Sequence, residues 1–484
     1  MNEDLLQETL AAIKSDMTKE AASLFVDLII DYLTSDKEKV CTSLAAEEIA
    51  SRFNKPLPRE GQPLTDVIEK IAQDILPDVN RLIHPMYMAV PVAPPLPATV
   101  WMESLIGALN QSTRVFCMSP TGTPVEMHLI RWLAEKVGFG ENAGGTFTSG
   151  GTEANFTALL AARSAVLPDS WQEGVGAEAP VVLCAENAHY TIFRAVAQLG
   201  LGKRRAITIP SRNSQMDTDV LAARLRELAQ TNTKVMAVVA TAGGCGTGAF
   251  DDLSTIGKLC SAYGVWFHVD GAHGASALLS KKHSYRLRGI EQADSVVWDP
   301  HKMMLMPLSA SVLLVKNEQY LENAFASSEE NKGNKREKWN QYTRSFMASR
   351  RADALKVWVA LQRYGTDGLG VLYEHLCHLT EILYETIETR NDFEALHRPE
   401  CNILCFRYIG NFSIDEPMLD TLNRKIYNHY NHSGLGFIAA TPIRGIVALR
   451  VTIMNPLTQV EHLQTLLEGL VNTAQKLLTT EDLY

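Results

Sequence analysis

The stretch that most constrains the fold is Asp294 to Pro307, which reads DSVVWDPHKMMLMP. Its apolar run, 295–298, predicts a buried strand that ends at Asp299-Pro300, because proline has no N–H to continue a ladder. Lys302 follows, between this run and a second apolar one. Burying an ammonium group is costly unless it is paired or neutralised, and both conditions suit a lysine that reacts as an amine nucleophile. A lysine at the mouth of a strand, with its amine extended into water, is the alternative.

Composition and charge exclude several classes of protein. With 484 residues, 46% of them hydrophobic, the chain can build two or three domains, and helical and strand patterns alternate through its middle. The formal net charge of −10 argues against nucleic acid as a partner. No apolar run reaches the roughly 18 residues that span a membrane, and the acidic start of the chain does not resemble a secretory signal. We therefore expect a globular α/β protein with no nucleic-acid or membrane partner.

The cysteines argue against disulfides and a metal site. The chain has eight, scattered along its length, and none forms a CxxC pair. In a chain of this size they indicate reduced core residues and a cytoplasmic location. Cys401 and Cys405 are close in sequence, but no histidine pair near them completes a zinc site. We expect no metal.

Sequence patterns divide the chain into three segments. Residues 1–80 have helical spacing and no chemical motif, and they predict an N-terminal helical dimerisation segment, with a packing arm as the alternative. Residues 81–365 alternate between strands and helices, which predicts a large α/β domain. Residues 366–484 predict a small C-terminal α+β domain, in which two strands flank a helix at 416–432.

A glycine turn in the large domain predicts an anion site. Residues 144–164, GGTFTSGGTEANFTALLAARS, contain a strand end, a tight Gly150-Gly151 turn and a helix that starts at Thr152. Such a turn directs several backbone N–H groups at one point, with the helix dipole behind them, and phosphate is the usual occupant. A plain glycine turn capped by Thr152 is the alternative.

Further polar residues stand at the ends of predicted strands. A strand at 181–191 carries His189, and a strand at 265–275 carries Asp270 after an apolar alternation. Open α/β folds bind their ligands at the carboxyl ends of strands. A carboxylate at the end of a buried strand needs a cationic partner or a hydrogen-bond donor. Lys302, which follows the next predicted strand along the chain, could be the cationic partner of Asp270.

Together these residues match one cofactor. A buried lysine can form a Schiff base with an aldehyde, and a buried aspartate can keep a pyridine nitrogen protonated. A helix N-terminus can bind a phosphate, and an imidazole can stack on a flat ring. Pyridoxal 5'-phosphate (PLP) has all of these groups, and its ring must be protonated to accept carbanion electrons. The sequence therefore predicts a PLP site.

Six motifs carry a wider resemblance, which runs from near residue 80 to the C-terminus. They are TSGGTEAN (148–155), NAHYT (187–191), TAGGCGTGAFDD (241–252), FHVDGAHGA (267–275), DSVVWDPHK (294–302) and LRVTIMNP (449–456). With these motifs the chain resembles the group II PLP-dependent amino acid decarboxylases. That family includes the glutamate, cysteine sulfinate, 2,4-diaminobutyrate and aromatic amino acid decarboxylases.

The resemblance implies the PLP-dependent transferase fold type I. This fold has a large domain with a mixed, mostly parallel sheet, an N-terminal helical arm and a small C-terminal α+β domain. The resemblance also implies an obligate homodimer with active sites at the subunit interface. Lys302 would hold the cofactor, Asp270 would pair with its ring nitrogen, and His189 would stack on the ring and assist proton transfer. The residues expected around the rest of the cofactor are Gly150, Gly151, Thr152, Ala272 and His301.

The reaction implied is decarboxylation of an L-amino acid to its amine and CO2. Arg450 matches the arginine that holds the substrate α-carboxylate in this family, with a structural salt bridge as its alternative role. Family members carry a loop tyrosine thought to protonate Cα. Here the polar segment 323–345 predicts a mobile loop in which Tyr342 comes late, so the acid is Tyr342 or another group such as His189. An aldehyde synthase, a carbon–carbon lyase and an inactive scaffold relative are the alternatives.

The sequence leaves the substrate open. Arg114, in NQSTRVF, could pair with an acidic side chain, which slightly favours glutamate, aspartate or cysteine sulfinate. Glu329 and Glu330 in the predicted loop would equally suit a basic substrate such as 2,4-diaminobutyrate. An aromatic amino acid is a further alternative.

Overall fold

The computed structural model describes residues 3–35, 39–176, 179–325, 337–410 and 414–479. By its internal contacts the chain forms two compact units. The boundaries predicted near residues 80 and 365 stay a prediction. The first unit consists of Met1–Ala89, Ser413–Ala440 and Leu457–Tyr484, and the second of Val90–Phe412 and Thr441–Pro456.

Helices and strands alternate along the middle of the chain. The helices are α1 (Glu3–Asp16), α2 (Lys19–Thr34), α3 (Ala46–Phe53), α4 (Leu64–Lys70), α5 (Pro97–Leu109), α6 (Gly122–Val137), α7 (Gly151–Val166), α8 (Ser170–Glu173), α9 (Tyr190–Gln198), α10 (Thr218–Gln230), α11 (Leu253–Tyr263), α12 (Gln319–Phe325), α13 (Ala354–Glu388), α14 (Glu416–Ser433) and α15 (Val460–Thr479). The strands are β1 (Gly144–Thr148), β2 (Val181–Ala185), β3 (Ala206–Ile209), β4 (Ser211–Arg212), β5 (Gln215–Met216), β6 (Val235–Thr241), β7 (Trp266–Asp270), β8 (Ser295–Trp298), β9 (Ser311–Val315), β10 (Phe393–Ala395), β11 (Ile403–Tyr408), β12 (Ala439–Ile443) and β13 (Ile446–Thr452). Within the described ranges, no helix is both long enough and apolar enough to cross a membrane.

The first unit joins the N-terminal helices α1 to α4 with the C-terminal helices α14 and α15. The backbone N–H of Val40 donates to the carbonyl of Gly434 at 2.8 Å, which ties the N-terminal segment to the end of α14. α14 and α15 pack closely, since a Cβ added at Gly469 would lie 2.8 Å from the Tyr430 ring. The helix predicted at 416–432 is confirmed as α14.

The second unit is built on a seven-stranded sheet with the order β1-β9-β8-β7-β6-β2-β3. β9 runs antiparallel to both β1 and β8, and the other neighbouring pairs are parallel. Every residue of β2, β7 and β8 is buried, as expected for parallel strands covered on both faces. This sheet confirms the predicted α/β class with a mixed, mostly parallel sheet.

Two of the buried strands end earlier than the sequence predicts. β8 spans 295–298 as predicted, but β2 ends at Ala185 rather than at residue 191, and β7 ends at Asp270 rather than at residue 275. After β2 the chain turns, with the Ala188 N–H bonded to the Ala185 carbonyl, and α9 begins at Tyr190. After β7 the small residues Gly271 and Ala272 are buried although they lie outside the strand, and after β2 the exposed polar residues Glu186 and Asn187 form the turn.

A helix layer covers one face of this sheet. α7 follows β1 across the Gly150 turn and starts at Gly151, one residue before the predicted start. Apolar residues of α7 and α9 pack against β2 and β6 in one continuous core cluster. The packing holds the start of α7 next to the ends of the central strands.

A second, four-stranded sheet has the order β10-β11-β13-β12. β11 and β13 are antiparallel, with Cys405 opposite Arg450. The long helix α13 precedes this sheet in the chain, and its backbone departs from helical geometry at Gly365, where φ is 67°. Glycine adopts this left-handed conformation without the steric penalty that a side chain brings.

Candidate active site

A cavity of about 270 Å³ lies at the carboxyl ends of the central parallel strands. Its lining includes His189 after β2, Thr241 at the end of β6, Asp270 at the end of β7 and Asp299 after β8. Open α/β sheets bind their ligands at this edge. The predicted cofactor-binding residues all line this cavity: Gly150, Gly151, Thr152, His189, Asp270, Ala272, His301 and Lys302.

Lys302 supplies the amine of the cavity. Its Nζ lies 3.1 Å from Oδ2 of Asp299, and only 23% of the lysine side chain is exposed, which favours a buried amine over a solvated surface charge. Burial alone would lower the pKa of Lys302, but the charges of Asp299 and Asp270 outweigh burial and raise that pKa above its ordinary value. The direct ionic partner of Lys302 is therefore Asp299, three residues before it.

Asp299 is held from two further sides. Ser311 Oγ donates to Asp299 Oδ1 at 2.5 Å, and Nε2 of His301 lies 3.5 Å from Asp299 Oδ2. Nδ1 of His301 accepts from the Ala310 N–H at 3.2 Å, so a neutral His301 carries its proton on Nε2, facing Asp299. Burial lowers the pKa of His301, and the Asp299 charge opposes that effect. The Asp299 carboxylate thus interacts with both Lys302 and His301 and influences the pKa of each.

The first turn of α7 provides free backbone donors. The Ala154 N–H makes the first helical hydrogen bond, to the Gly150 carbonyl at 3.1 Å, so the N–H groups before it have no acceptor within the helix. Gly151 allows the helix to start against Asp299, because a Cβ at Gly151 would lie 2.9 Å from Asp299 Oδ2. A Cβ at Gly150 would meet nothing within 4 Å. The close approach therefore requires glycine at position 151 and not at 150.

Asp270 is a buried hydrogen-bond acceptor at the end of β7. Its Oδ2 accepts from Nδ2 of Asn155 at 3.0 Å, and its Oδ1 accepts from the backbone N–H of Ala272 at 3.3 Å. These donors hold the carboxylate in place and leave it lone pairs for a further donor. The arrangement suits a carboxylate that receives a ring N–H.

His189 lies in the turn before α9, on the wall of the same cavity. Its Nδ1 is 2.8 Å from Oγ1 of Thr191, the second residue of the helix. Burial lowers the pKa of His189, and Lys302 lowers it further, whereas Asp270 acts in the opposite direction. A neutral, flat imidazole beside the cavity suits stacking on an aromatic ring.

Two predicted site residues are not among those that line the cavity. Arg450 is half-buried on β13, and its Nη1 donates to the carbonyl of Cys245 at 2.7 Å. Cys245 itself lines the cavity, so Arg450 contacts a cavity-lining residue without lining the cavity itself. Tyr342 donates its backbone N–H to the Arg114 carbonyl at 3.2 Å, and the Arg114 guanidinium lies 5.9 Å from the centre of the Tyr342 ring.

The middle of the predicted loop, 326–336, lies outside the described residues. Glu329 and Glu330 belong to it. The described end of the segment begins with a 3-10 turn, Glu337–Trp339, and continues to Tyr342. The prediction of a loop acid therefore stays a prediction.

Sequence reasoning missed three residues of the site. Asn155 lies within the TSGGTEAN motif, and the helical spacing of four from Gly151 could have indicated that it faces the cavity. Asp299 was interpreted only as a strand end. His273, three residues after Asp270, also lines the cavity, and burial lowers its pKa to about 4. The Nε2 of His273 lies 2.7 Å from Oδ1 of Asn402.

The residues of the cavity fit PLP. The cavity volume is close to the lower end of the range for small-molecule sites, about 300 Å³. Lys302 offers an amine for an aldehyde, and Asp270 offers an acceptor for a ring N–H. The first turn of α7 offers backbone donors for a phosphate.

Comparisons with known proteins agree with this site. Residues 47–409 match the family model described as the pyridoxal-dependent decarboxylase conserved domain. The chain is 32% identical to L-2,4-diaminobutyrate decarboxylase of Rhizobium meliloti (strain 1021), over 88% of this chain and 85% of that protein. It is 30% identical to mouse (Mus musculus) cysteine sulfinic acid decarboxylase, over 81% of each.

A solved structure extends the agreement to the fold. The crystal structure of mouse CSAD in apo form is 26% identical in sequence and superposes with a TM-score of 0.89, covering 96% of this chain and 99% of that one. The expected fold type I is thereby confirmed. The chain belongs to the group II PLP-dependent amino acid decarboxylases, which are carboxy-lyases.

Proposed function

We propose that this decarboxylase converts an L-amino acid with an acidic side chain into its amine and CO2. The cavity in which Lys302, Asp270 and the first turn of α7 converge supports PLP chemistry, and the observation that carries decarboxylation is the match of residues 47–409 to the pyridoxal-dependent decarboxylase domain. The acidic class is supported by the 30% identity to cysteine sulfinic acid decarboxylase. Arg114, the predicted partner of an acidic side chain, lies against Tyr342 and is not among the residues that line the cavity.

Each residue has a separable task in this reaction. PLP, when bound, supplies an aldehyde that takes up the substrate amine and a protonated ring that accepts electrons. Lys302 would hold the cofactor between turnovers, and Asp299 would govern the charge of the lysine amine. Asp270 would keep the proton on the ring nitrogen, and the α7 N–H groups would fix the phosphate.

Arg450 would hold the substrate α-carboxylate. Its guanidinium already donates to the carbonyl of the cavity-lining Cys245, so a small rearrangement would bring a charged donor to the cavity. A bound carboxylate would gain a charge-assisted hydrogen bond from it. His189 or Tyr342 would return the proton to Cα, and His189 is the one that lines the cavity.

A second substrate class has its own support. The 32% identity to a 2,4-diaminobutyrate decarboxylase covers more of the chain than the match to cysteine sulfinic acid decarboxylase does. A basic side chain would require an anionic partner, and Glu329 and Glu330 of the segment outside the described residues are the acidic groups proposed for it. The two classes differ in the sign of the side-chain charge, so one assay separates them.

A substrate panel tests the proposal. Holoenzyme is mixed with glutamate, aspartate, cysteine sulfinate, 2,4-diaminobutyrate and aromatic amino acids, and CO2, amine, aldehyde and hydrogen peroxide are measured. Amine and CO2 from an acidic amino acid support the proposal. Turnover of 2,4-diaminobutyrate alone would show that the substrate has a basic side chain and not an acidic one. Aldehyde with hydrogen peroxide and little amine would identify an aldehyde synthase. No turnover of any amino acid by PLP-loaded protein would identify an inactive relative.

We also propose that two copies of the chain associate. α1 has no buried residue, and Leu6, Leu10 and Ile13 form an exposed apolar stripe at helical spacing. Changing both Leu10 and Ile13 to Glu should convert a dimer into a monomer in light scattering. Ser15→Glu, on the opposite face of α1, is the matched control and should leave the mass unchanged. A monomeric wild-type chain would contradict the proposal.

A further inference from the structure

A chain of buried hydrogen bonds reaches Asp270 from behind the cavity. Trp266 Nε1 lies 2.9 Å from Ser295 Oγ, which lies 2.8 Å from His268 Nδ1. His268 Nε2 lies 2.9 Å from Asn155 Oδ1, and Asn155 Nδ2 lies 3.0 Å from Asp270 Oδ2. All five residues are buried, and His268 and Ser295 have no exposed surface at all. We call this set of contacts the relay.

The sheet and α7 together assemble the relay. Trp266, His268 and Asp270 alternate along β7, so their side chains leave the same face of the sheet. Ser295 is the register partner of His268 on the neighbouring strand β8. Asn155 comes from the second turn of α7, which packs over β7 and β8.

The direction of each hydrogen bond follows from the Asp270 carboxylate, which can only accept. Asn155 Nδ2 therefore donates to it, and Asn155 Oδ1 accepts from His268 Nε2–H. A neutral His268 then has an unprotonated Nδ1, which accepts from the Ser295 hydroxyl, and Ser295 Oγ accepts in turn from the Trp266 indole N–H. Burial lowers the pKa of His268 to about 4, which keeps the ring neutral at neutral pH and preserves one acceptor and one donor nitrogen.

Asn155 is the branch point of the relay. With Oδ1 occupied by His268, both protons of Nδ2 point to acceptors: Asp270 Oδ2 at 3.0 Å and Thr191 Oγ1 at 3.2 Å. The reversed amide would set an oxygen against the Asp270 carboxylate and a donor against the His268 donor, so this orientation is the only one that satisfies all partners.

The branch extends to His189. Thr191 Oγ1 accepts from Asn155, which leaves its own proton for donation to His189 Nδ1, 2.8 Å away. In that arrangement Nδ1 carries no proton, and a neutral His189 carries its proton on Nε2. One amide thus acts on both cavity residues, on Asp270 directly and on His189 through Thr191.

We propose that Asn155 is a positioning residue that fixes proton locations at both cofactor-facing side chains, with the Asp270 carboxylate setting the direction of the hydrogen bonds. Asp270 is kept as an acceptor ready for a ring N–H, and His189 is kept as the tautomer with Nε2–H. The relevance of the relay to catalysis rests on the proposed function. The proton locations themselves depend only on residues of this chain and can be measured without cofactor or substrate. The relay thus prepares the site before any cofactor binds.

Histidine NMR of the apoenzyme tests the proton locations directly. With 15N-labelled histidine, the signals of His189 and His268 are assigned from the variants His189→Gln and His268→Gln. At neutral pH both rings should show a protonated Nε2 and an unprotonated Nδ1. Thr191→Val should change the tautomer signals of His189 and leave those of His268 unaltered. A protonated Nδ1 on either ring of the wild-type protein, or no change at His189 in Thr191→Val, would overturn the proposal.

Cofactor affinity tests the role of Asn155. Asn155→Leu has a similar shape and no donor, so PLP affinity should fall roughly 10- to 100-fold, the loss expected when a buried charged acceptor loses a donor. Thr157→Val is the matched control, because Thr157 is buried on the same helix and none of the described residues accepts from or donates to its hydroxyl. Unchanged PLP affinity in folded Asn155→Leu, or an equal loss in Thr157→Val, would refute the role of Asn155.

If Asn155→Leu does not fold, Ser295→Ala replaces it. That variant removes the donor to His268 Nδ1 while Asn155 Oδ1 still accepts from Nε2–H, so the 15N shift of Nδ1 should change and Nε2 should stay protonated. A His268 Nδ1 signal equal to that of the wild type would refute the relay. None of these measurements requires substrate turnover. If the decarboxylation assay fails, the NMR result still tests the relay.

Discussion

The contact between Lys302 and Asp299 allows a quantitative prediction. Asp299→Asn removes a negative charge 3.1 Å from the lysine amine and keeps the size of the side chain. Burial of Lys302 lowers its pKa and the carboxylates raise it, so removing Asp299 should lower the pKa and increase the unprotonated fraction of the amine at neutral pH. The variant should therefore react faster with amine-specific reagents.

The magnitude follows from the distance. At an effective dielectric constant of about 20, two unit charges at this separation attract each other with about 5 kcal/mol. The Asp270 charge remains in the variant, and water can reach the partly exposed amine, so we expect between a quarter and a half of that energy to be observed. At about 1.4 kcal/mol per tenfold change, the unprotonated fraction should increase roughly 10- to 100-fold.

Competitive labelling measures this fraction without cofactor or substrate. Apoenzyme is labelled with an amine-reactive reagent over a range of alkaline pH, and modification of Lys302 is quantified by peptide mass spectrometry. Ser311→Ala is the control, since it removes a neutral hydrogen bond to Asp299 and leaves the charge. Labelling of Lys302 that is equal to or slower than wild type in Asp299→Asn would refute the electrostatic reasoning.

Further predictions concern other parts of the second unit. Gly151→Ala should weaken PLP binding roughly tenfold or more in an absorbance titration, because the added Cβ would meet Asp299. Gly150→Ala is the control and should bind PLP normally, because the space around its added Cβ is open. Arg450→Ala should raise KM roughly 10- to 100-fold and change kcat less, and an unchanged KM in steady-state kinetics would exclude the α-carboxylate role. Burial raises the pKa of Asp251 from 3.8 to about 6, so the folded state binds this proton more tightly, and wild-type stability should fall as the pH rises from about 4 to 6. Denaturant unfolding across that range should show a flatter dependence in Asp251→Asn, and an equal slope in both proteins would contradict the assignment.

Much of the site could be predicted because its residues are marked by local sequence. Pro300 cannot continue a ladder, so the end of β8 was predicted correctly at Trp298. The alternation of strands and helices implies parallel strands whose carboxyl ends share one edge. This is sufficient to bring His189, Asp270 and Lys302 into one cavity.

The partners of these residues could not be predicted in the same way. The sequence analysis linked Asp270 to Lys302, but the direct partner of Lys302 is Asp299, and Asp270 is bonded to Asn155. Arg450 and Tyr342 were matched by position in the chain, and neither lines the cavity. Both outcomes depend on side-chain directions and on the loops after the strands, and hydrophobic periodicity does not encode them.

The sequence by itself determined the α/β class, the cofactor chemistry and the group of residues at the edge of the sheet. Periodicity, chain breakers and the types of polar residue are local properties that need no knowledge of the neighbours. Only the tertiary structure decided that β8 lies beside β7 and that α7 crosses them both, which brings Ser295 to His268 and Asn155 to Asp270. Proton locations at the site follow from these contacts, because a hydrogen-bond direction is a property of a pair of residues and not of either one alone.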